Sequence, residues 1–214
     1  MKVEEKTVTY TTKNSYATLN ELTDSTKNIW IVFHGIGFLS RYFLRLFSSL
    51  TAEENYIIAP QAPSKYYIGA TYQHVGASWL TKENTAMETE NVLAYVDSVI
   101  KAEKIKLGSN LIVFGFSQGV SIATRWIAKH KIPCKQLVLY AGGIPHELKK
   151  EDFGHIDFEH TQIKIIYGNQ DEFMSKERLK QEKTKIGQLF GNHVEIIKFE
   201  GGHEVKVEIL QTLV

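Results

Sequence analysis

A serine between two glycines is the first group in the sequence that could act as a nucleophile. Ser117 lies at the centre of the run GFSQG (residues 115–119), directly after an apolar run and directly before a segment with helical periodicity. Glycine on both sides allows a turn so sharp that larger side chains would collide, and such a turn lifts the serine hydroxyl clear of the backbone. The helix dipole at that position favours a developing negative charge. The alternative is an ordinary strand-to-helix turn in which the serine is incidental.

An acid and a histidine follow Ser117 at the ends of two later apolar runs. A serine hydroxyl needs a base at neutral pH, and that base needs a carboxylate to hold it. The run at 163–167 leads into GNQDE and the run at 193–199 leads into EGGHE, so Asp171 precedes His203 in the order expected after such a serine. We predict that His203 is the proton shuttle and that Asp171 is the acid that holds it.

Each of these assignments has a plainer alternative. Asp171 would otherwise be a solvated turn or helix-cap acid, and Glu172 is its rival for the same role. His203 would otherwise be a surface turn residue. The order of serine, acid and histidine at three strand ends favours the catalytic interpretation more strongly than any one of the three residues alone.

The first buried apolar run ends in HGIG (residues 34–37), a loop that would face the start of the helix after Ser117. An acyl-transfer reaction needs two backbone N–H donors for the negative oxygen of its intermediate, one after the nucleophile and one from this loop. We predict the amides of Gln118 and Ile36 as these donors, and His34 as a structural support of the loop. The alternative is that the two glycines only end the strand.

Alternating apolar and amphipathic segments must position these residues. Short runs that predict strands lie at residues 29–33, 56–59, 111–114, 136–140, 163–167 and 193–199. The run at 29–33 is continuously apolar, as is typical of a strand buried on both faces of a sheet. Segments with helical periodicity lie at residues 40–50, 82–104, 118–129, 175–190 and 205–213. This alternation predicts an α/β fold with a mostly parallel twisted sheet and helices on both faces. In such a sheet the chemistry belongs at the carboxyl ends of the strands.

Three segments outside this alternation carry weaker patterns. Lys6–Thr12 alternates at period two and predicts an edge strand, with Tyr16–Leu22 as a second strand paired to it. Residues 63–81 show no clear period and predict a long loop rich in aromatic side chains, which in a compact domain is more often functional than not. No linker divides the chain, so we expect a single domain over residues 1–214 without a large lid domain.

The composition excludes several classes of function. The 214 residues include 25 Lys and Arg against 24 Asp and Glu, and a formal net charge of +1 removes the usual electrostatic basis for binding nucleic acid or an anionic membrane. No apolar run reaches the roughly 18 residues of a membrane helix. Cys134 is the only cysteine, which excludes an internal disulfide and a thiolate metal cluster. We therefore expect a cytoplasmic protein without integral membrane association, metal or cofactor.

Taken together, the motifs resemble a known family. HGIG, GFSQG, the aspartate after a strand and glycine, and the late GGH resemble the α/β-hydrolase fold from Ile29 to the C-terminus. GFSQG, YIIAPQAP (residues 56–63) and ASW (residues 77–79) are similar to its small carboxylesterase, lysophospholipase and acyl-protein thioesterase branch. The residues whose roles this resemblance implies are the triad Ser117, Asp171 and His203, the oxyanion-hole residues Ile36 and Gln118, and the acyl-pocket residues Phe38, Leu39 and Trp79.

The resulting hypothesis is a serine hydrolase that cleaves a small-molecule ester or acyl substrate through an acyl-enzyme intermediate. Thioesters fit as well as oxygen esters, because the same pair of amides serves both. Two alternatives remain open: a ligand-binding receptor on a hydrolase scaffold, and an amidase, peptidase or dienelactone-type hydrolase. The dienelactone type is disfavoured because serine, not cysteine, occupies the turn. No sequence feature indicates an oligomeric state.

Overall fold

Strands and helices alternate along the chain in the computed structural model, which describes residues 2–108 and 110–214. In those ranges the strands are β1 (Tyr16–Leu19), β2 (Asn28–Phe33), β3 (Asn55–Pro60), β4 (Ser64–Ile68), β5 (His74–Ser78), β6 (Leu111–Phe116), β7 (Gln136–Tyr140), β8 (Gln162–Gly168) and β9 (Val194–Phe199). The α-helices are α1 (Ser40–Phe43), α2 (Thr85–Ala102), α3 (Gln118–His130), α4 (Lys176–Phe190) and α5 (Val207–Gln211). Short 3₁₀ helices form at Leu44–Phe47 and Lys150–Phe153.

Seven of these strands form one sheet in the order β1-β3-β2-β6-β7-β8-β9. Neighbouring strands are parallel throughout this sheet except for β1, which is antiparallel to β3. The predicted α/β fold with a mostly parallel sheet is therefore confirmed. The carboxyl ends of β2, β6, β8 and β9 consequently lie at the same edge of the sheet, where the candidate residues follow them.

Helices cover both faces of the sheet because its central strands send buried side chains alternately to either side. Ile31 and Phe33 of β2 pack in one buried cluster with Trp126 of α3. Trp30 and Val32 of the same strand pack in a second cluster, together with side chains from α1 and α5. The central strands are packed between the two clusters, which hold in place the strand ends from which the loops begin.

The N-terminal segment differs from its sequence-based prediction. Lys6–Thr12 forms no strand, and Val8 and Tyr10 in it are exposed. Alternation stabilises a strand only when one of its faces is buried, and here neither is. The second predicted strand exists in shorter form as β1, which pairs with β3 in the register Ala17↔Ala59.

Two further segments fold differently from expectation. The helix expected over residues 40–50 is a single turn of α-helix, α1, that continues as the 3₁₀ helix Leu44–Phe47. Residues 63–81, expected as a loop, contain the antiparallel hairpin β4–β5, with Tyr66 opposite Gly76. Every side chain of β4 is exposed, so this strand is made by backbone pairing and leaves no apolar pattern in the sequence.

No large separate domain interrupts the described residues, and the β4–β5 hairpin is a short excursion outside the main sheet. None of the helices in the described part of the chain has both the length and the apolar character needed to cross a membrane. The segment GHIDFEH at residues 154–160 is an irregular turn region whose Asp157 and His160 are exposed and hydrogen-bonded to each other.

Candidate active site

Ser117 occupies a strained turn between β6 and α3. Its backbone has φ +54° and ψ −119°, a conformation that non-glycine residues rarely adopt and that is held here by the flanking elements. A Cβ atom on Gly115 would lie 2.7 Å from the backbone nitrogen of Val120, and one on Gly119 would overlap the carbonyl of Phe33. Both glycines of GFSQG are therefore required by close backbone packing, and the turn projects the serine from the end of the strand.

The side chains of Ser117, His203 and Asp171 form one hydrogen-bonded line. His203 Nε2 lies 2.8 Å from Ser117 Oγ, and His203 Nδ1 lies 2.8 Å from Asp171 Oδ2. A carboxylate only accepts, so Nδ1 carries the proton and Nε2 is left to accept the proton of the serine hydroxyl. The Asp171 side chain is fully buried, whereas its rival Glu172 is exposed. The structure thus brings together the three residues that the sequence singled out.

Backbone contacts between two turns hold the acid and the histidine next to each other. The turn after β8 carries Asp171, and the turn after the neighbouring strand β9 carries His203. Gln170 donates its backbone N–H to the carbonyl of Gly201 at 2.9 Å. A Cβ atom on Gly168 would overlap that same carbonyl, so the two turns touch backbone to backbone. This close approach explains why glycine precedes the acid.

Two aromatic rings enclose the imidazole. The ring centroid of Phe116 lies 5.0 Å from that of His203, and the ring of Phe173 lies 4.7 Å away in an edge-on arrangement. The side chain of His203 is 18% exposed, so one part of the ring remains open to a substrate or water. Sequence reasoning missed Phe173, because an exposed aromatic residue two positions after an acid carries no pattern; only the fold brings it to the histidine.

The HGIG loop lies directly against the serine. A Cβ atom on Gly35 would stand 3.1 Å from Ser117 Cβ, and Gly37 adopts φ +87°. Within the described residues, no backbone or side-chain acceptor takes the N–H of Ile36. The N–H of Gln118 begins α3, where the first amides have no partner within the helix. These two amides are the donors predicted for an oxyanion hole, and that role stays a prediction.

His34 is buried and supports this loop from beneath. Its Nε2 accepts the backbone N–H of Ala62 at 3.2 Å, and its Nδ1 donates to the carbonyl of Gly35 at 2.8 Å. Burial lowers the pKa of His34 from 6.5 to about 4, partly offset by the hydrogen bond to Gly35. His34 is therefore neutral at neutral pH and supports the HGIG loop through its two hydrogen bonds, as expected from the sequence.

The depressed pKa of His34 predicts a pH dependence of stability. Between pH 6.5 and pH 4 the unfolded chain binds a proton that the folded chain excludes, so the free energy of unfolding decreases as the pH falls. The full effect is about 3 kcal/mol, from about 1.4 kcal/mol per pH unit. Urea unfolding of wild type and His34→Gln at about pH 7 and pH 4 measures it. The variant should lose less stability on acidification, and equal losses would contradict the assignment.

Two of the residues expected to line an acyl pocket lie in the core instead. Leu39 is 4% exposed, and Trp79 is fully buried, with its indole N–H donating to the carbonyl of His34 at 2.8 Å. Neither side chain offers surface to a substrate in this structure, so their place in an acyl pocket stays a prediction without support from the structure. Large apolar residues next to a strand end fit the core and a pocket equally well in sequence. Phe38 is partly exposed and packs edge-on against Phe116.

Polar cavities flank the site on its other side. One of about 470 Å³ lies between α3, the loop after β7 and the start of α4, and an adjoining one of about 600 Å³ continues along α4. Ser121, Arg125 and Arg178 line the first cavity, and Ser117 lines neither. Exposed aromatic side chains border the serine and its histidine: Phe38 packs against Phe116, and Phe173 packs against His203.

The parallel sheet and the serine turn at the end of β6 define the chain as an α/β hydrolase. The Phospholipase/Carboxylesterase family model matches residues 14–214, and the chain belongs to that family. Membership places it among the esterase-type hydrolases. A search of curated proteins found no match.

Solved structures share this fold at low sequence identity. A phospholipase/carboxylesterase from Dyadobacter fermentans is 20% identical, with a TM-score of 0.65 over 95% of this chain and 97% of its own. Acyl-protein thioesterase 2 from Zea mays is 16% identical, with a TM-score of 0.69 over 94% and 96%. A Bacillus cereus carboxylesterase is 16% identical, with a TM-score of 0.66 over 94% and 91%. These likenesses concern the fold.

Proposed function

We propose that the protein is a serine hydrolase that cleaves a carboxylic ester or thioester through an acyl-enzyme intermediate. The observation that carries the proposal is the unbroken hydrogen-bonded line from Ser117 through His203 to Asp171. Nucleophile, base and orienting acid are identified by this mutual geometry more reliably than by sequence position. Membership of an esterase-type family supports the same reaction class.

The reaction proceeds in two similar halves. Ser117 Oγ attacks the substrate carbonyl carbon, and its proton passes to His203 Nε2. The carbonyl oxygen becomes negative and accepts hydrogen bonds from the amides of Ile36 and Gln118. When the bond to the leaving oxygen or sulfur breaks, His203 returns the proton to that atom. Water then attacks the acyl-enzyme with the same groups, which releases the acid and restores the serine.

Asp171 acts by holding the histidine rather than by taking a proton. Its buried Oδ2 fixes the Nδ1–H tautomer, and its negative charge stabilises the imidazolium that forms in each half-reaction. Its Oδ1 is held by the backbone N–H of Phe173 at 2.9 Å, so the carboxylate cannot rotate freely. Every group in this mechanism is a side chain or a backbone amide of the chain itself.

The substrate class follows from the surface around the serine. Exposed apolar side chains border it, among them Ile36, Phe38, Tyr66 and Phe173. An apolar substituent on the scissile carbonyl gains from covering this surface, by roughly 25 cal/mol for each Å² removed from water. A small-molecule ester or thioester with an apolar acyl group therefore fits the site best.

Turnover of a series of 4-nitrophenyl esters, from acetate to decanoate, tests the proposal together with a matched acyl thioester. We expect many turnovers per molecule, with kcat/KM increasing with acyl length until the apolar surface is covered. A hydrolase produces nitrophenol far beyond one equivalent, whereas a receptor on a hydrolase scaffold would stop at a single stoichiometric burst. Hydrolysis of anilide analogues at a comparable rate would shift the assignment to an amidase.

A further inference from the structure

The hairpin strand β5 contacts both halves of the proposed oxyanion hole, although it lies outside the main sheet. We propose that residues 76–80, here called the bridging segment, set the separation of the Ile36 and Gln118 amides. We further propose that the side chain of Gln118 is a positioning residue for the reaction. This inference rests on the proposed function. The sequence predicted a role only for the backbone amide of Gln118, and the inference adds a role for its side chain.

The first half of the contact joins the bridging segment to the HGIG loop. The backbone N–H of Gly37, next to Ile36, donates to the carbonyl of Ala77 at 2.9 Å. A Cβ atom on Gly76 would stand 2.7 Å from the carbonyl oxygen of Gly37, so the two backbones pack in direct contact. The position of the Ile36 amide is therefore tied to β5.

The second half joins the same segment to the start of α3 through one side chain. Gln118 Oε1 accepts the backbone N–H of Trp79 at 2.8 Å, and Gln118 Nε2 donates to the carbonyl of Leu80 at 2.7 Å. The hydroxyl of Ser78 lies 3.1 Å from Nε2. Both ends of the amide are used, so neither a carboxylate nor an apolar side chain reproduces the arrangement.

The indole of Trp79 supplies a third connection between the same parts. Its N–H donates to the carbonyl of His34, the residue at which the HGIG loop begins, and the ring is fully buried. The anchors Ala77 and Leu80 are three residues apart, and the chain bends between them at Trp79. The loop, the bridging segment and the start of α3 therefore form a closed frame around Ser117.

Such a frame matters because oxyanion donors act only when they stand about 2.7–3.1 Å from the developing charge. A displacement of about 1 Å at a reacting group can cost about 100-fold in rate. The two donors belong to separate loops, one after β2 and one after β6. The bridging segment couples the positions of the two donors. The HGIG loop is bonded to it at Ala77, and the start of α3 is bonded to it three residues later at Leu80.

Gln118→Met tests the inference, since methionine keeps the length of the side chain and removes both hydrogen bonds. We expect kcat for a 4-nitrophenyl ester to decrease about 10- to 100-fold, less than the loss of a whole donor, with KM changed less than threefold. Inhibition by a trifluoromethyl ketone, which forms an oxyanion on the serine, should weaken by the same factor as kcat. Inhibition by the carboxylate product should not change.

Thr124→Ala is the matched control, because Thr124 is a buried residue of α3 whose hydroxyl bonds only within the helix, to the carbonyls of Val120 and Ser121. It should reduce thermal stability without changing kcat.

If Gln118→Met does not fold, Trp79→Phe replaces it: phenylalanine keeps a ring in the core and removes the bond to His34. A severalfold decrease in kcat at constant KM is then expected.

Unchanged kcat and unchanged ketone affinity in a folded Gln118→Met would overturn the inference, while the proposed hydrolase function would stand. If Trp79→Phe is used instead, the same result in that folded variant would overturn the inference. Equal weakening of the ketone and the product would assign Gln118 to substrate binding and would overturn it as well. Failure of the wild type itself to turn over esters is a different result, which would remove the proposed function and this inference together.

Discussion

Ser117→Ala is expected to abolish covalent labelling by a fluorophosphonate and to lower kcat for a 4-nitrophenyl ester by about 10⁶-fold. The loss is this large because the acyl-enzyme route disappears completely. Only substrate binding and the amides of Ile36 and Gln118 then remain to act on direct attack by water. Intact-mass spectrometry after labelling, together with initial rates, measures both effects. The turn itself should survive, since alanine adds no atoms to it.

Ser121→Ala is the matched control for this experiment. Ser121 lies one helical turn beyond Ser117 on α3, and its hydroxyl donates to the carbonyl of Gln118. The hydrogen-bond partners of His203 are Ser117 and Asp171, not Ser121, so labelling should proceed at one equivalent per chain. Labelling that persists in Ser117→Ala would show that another residue is the nucleophile and would contradict the proposed mechanism.

His203→Gln has the second largest expected effect, a decrease in kcat of about 10⁴- to 10⁶-fold. Glutamine retains a polar side chain that can donate to Asp171, but it cannot accept a proton from Ser117 at neutral pH. The rate of fluorophosphonate labelling should decrease with kcat, because the serine loses its base in both reactions. Stopped-flow or long-time assays of the ester and a time course of labelling give the two ratios.

His160→Ala is the control for the histidine experiment, because His160 is exposed and its ring nitrogen bonds to Asp157 within a surface turn. It should leave kcat within twofold of wild type. A loss of less than about tenfold in a folded His203→Gln would show that His203 is not the proton shuttle, and a search for another base would follow.

Much of the site geometry could be predicted from the sequence, because parallel strands place their carboxyl ends at one edge. The apolar runs before GFSQG, GNQDE and EGGHE are enough to bring Ser117, Asp171 and His203 to that edge. Their convergence agrees with the prediction, and their catalytic roles remain predictions that the variants above test. The need for both glycines of GFSQG could also be predicted, because only a residue without a Cβ fits so close to neighbouring backbone.

Other features could not be predicted, because sequence patterns report burial and not the identity of the neighbour. Lys6–Thr12 has the alternation of a strand but no core to pack against. The hairpin β4–β5 has no apolar pattern, since its first strand is wholly exposed. Trp79 has the character of a pocket residue and belongs to the core. For Trp79 the deciding contact, with the carbonyl of His34, comes from a segment distant in sequence.

Sequence patterns alone predict the class of fold, the turn that presents Ser117 and the strand ends from which its partners come. These depend on local geometry and on a periodicity that each segment carries within itself. Only contacts between distant segments place Asp171 rather than Glu172 against the histidine, and join the side chain of Gln118 in α3 to the hairpin. Both depend on which backbones touch: the close approach of the turns after β8 and β9, and the contact of β5 with the HGIG loop.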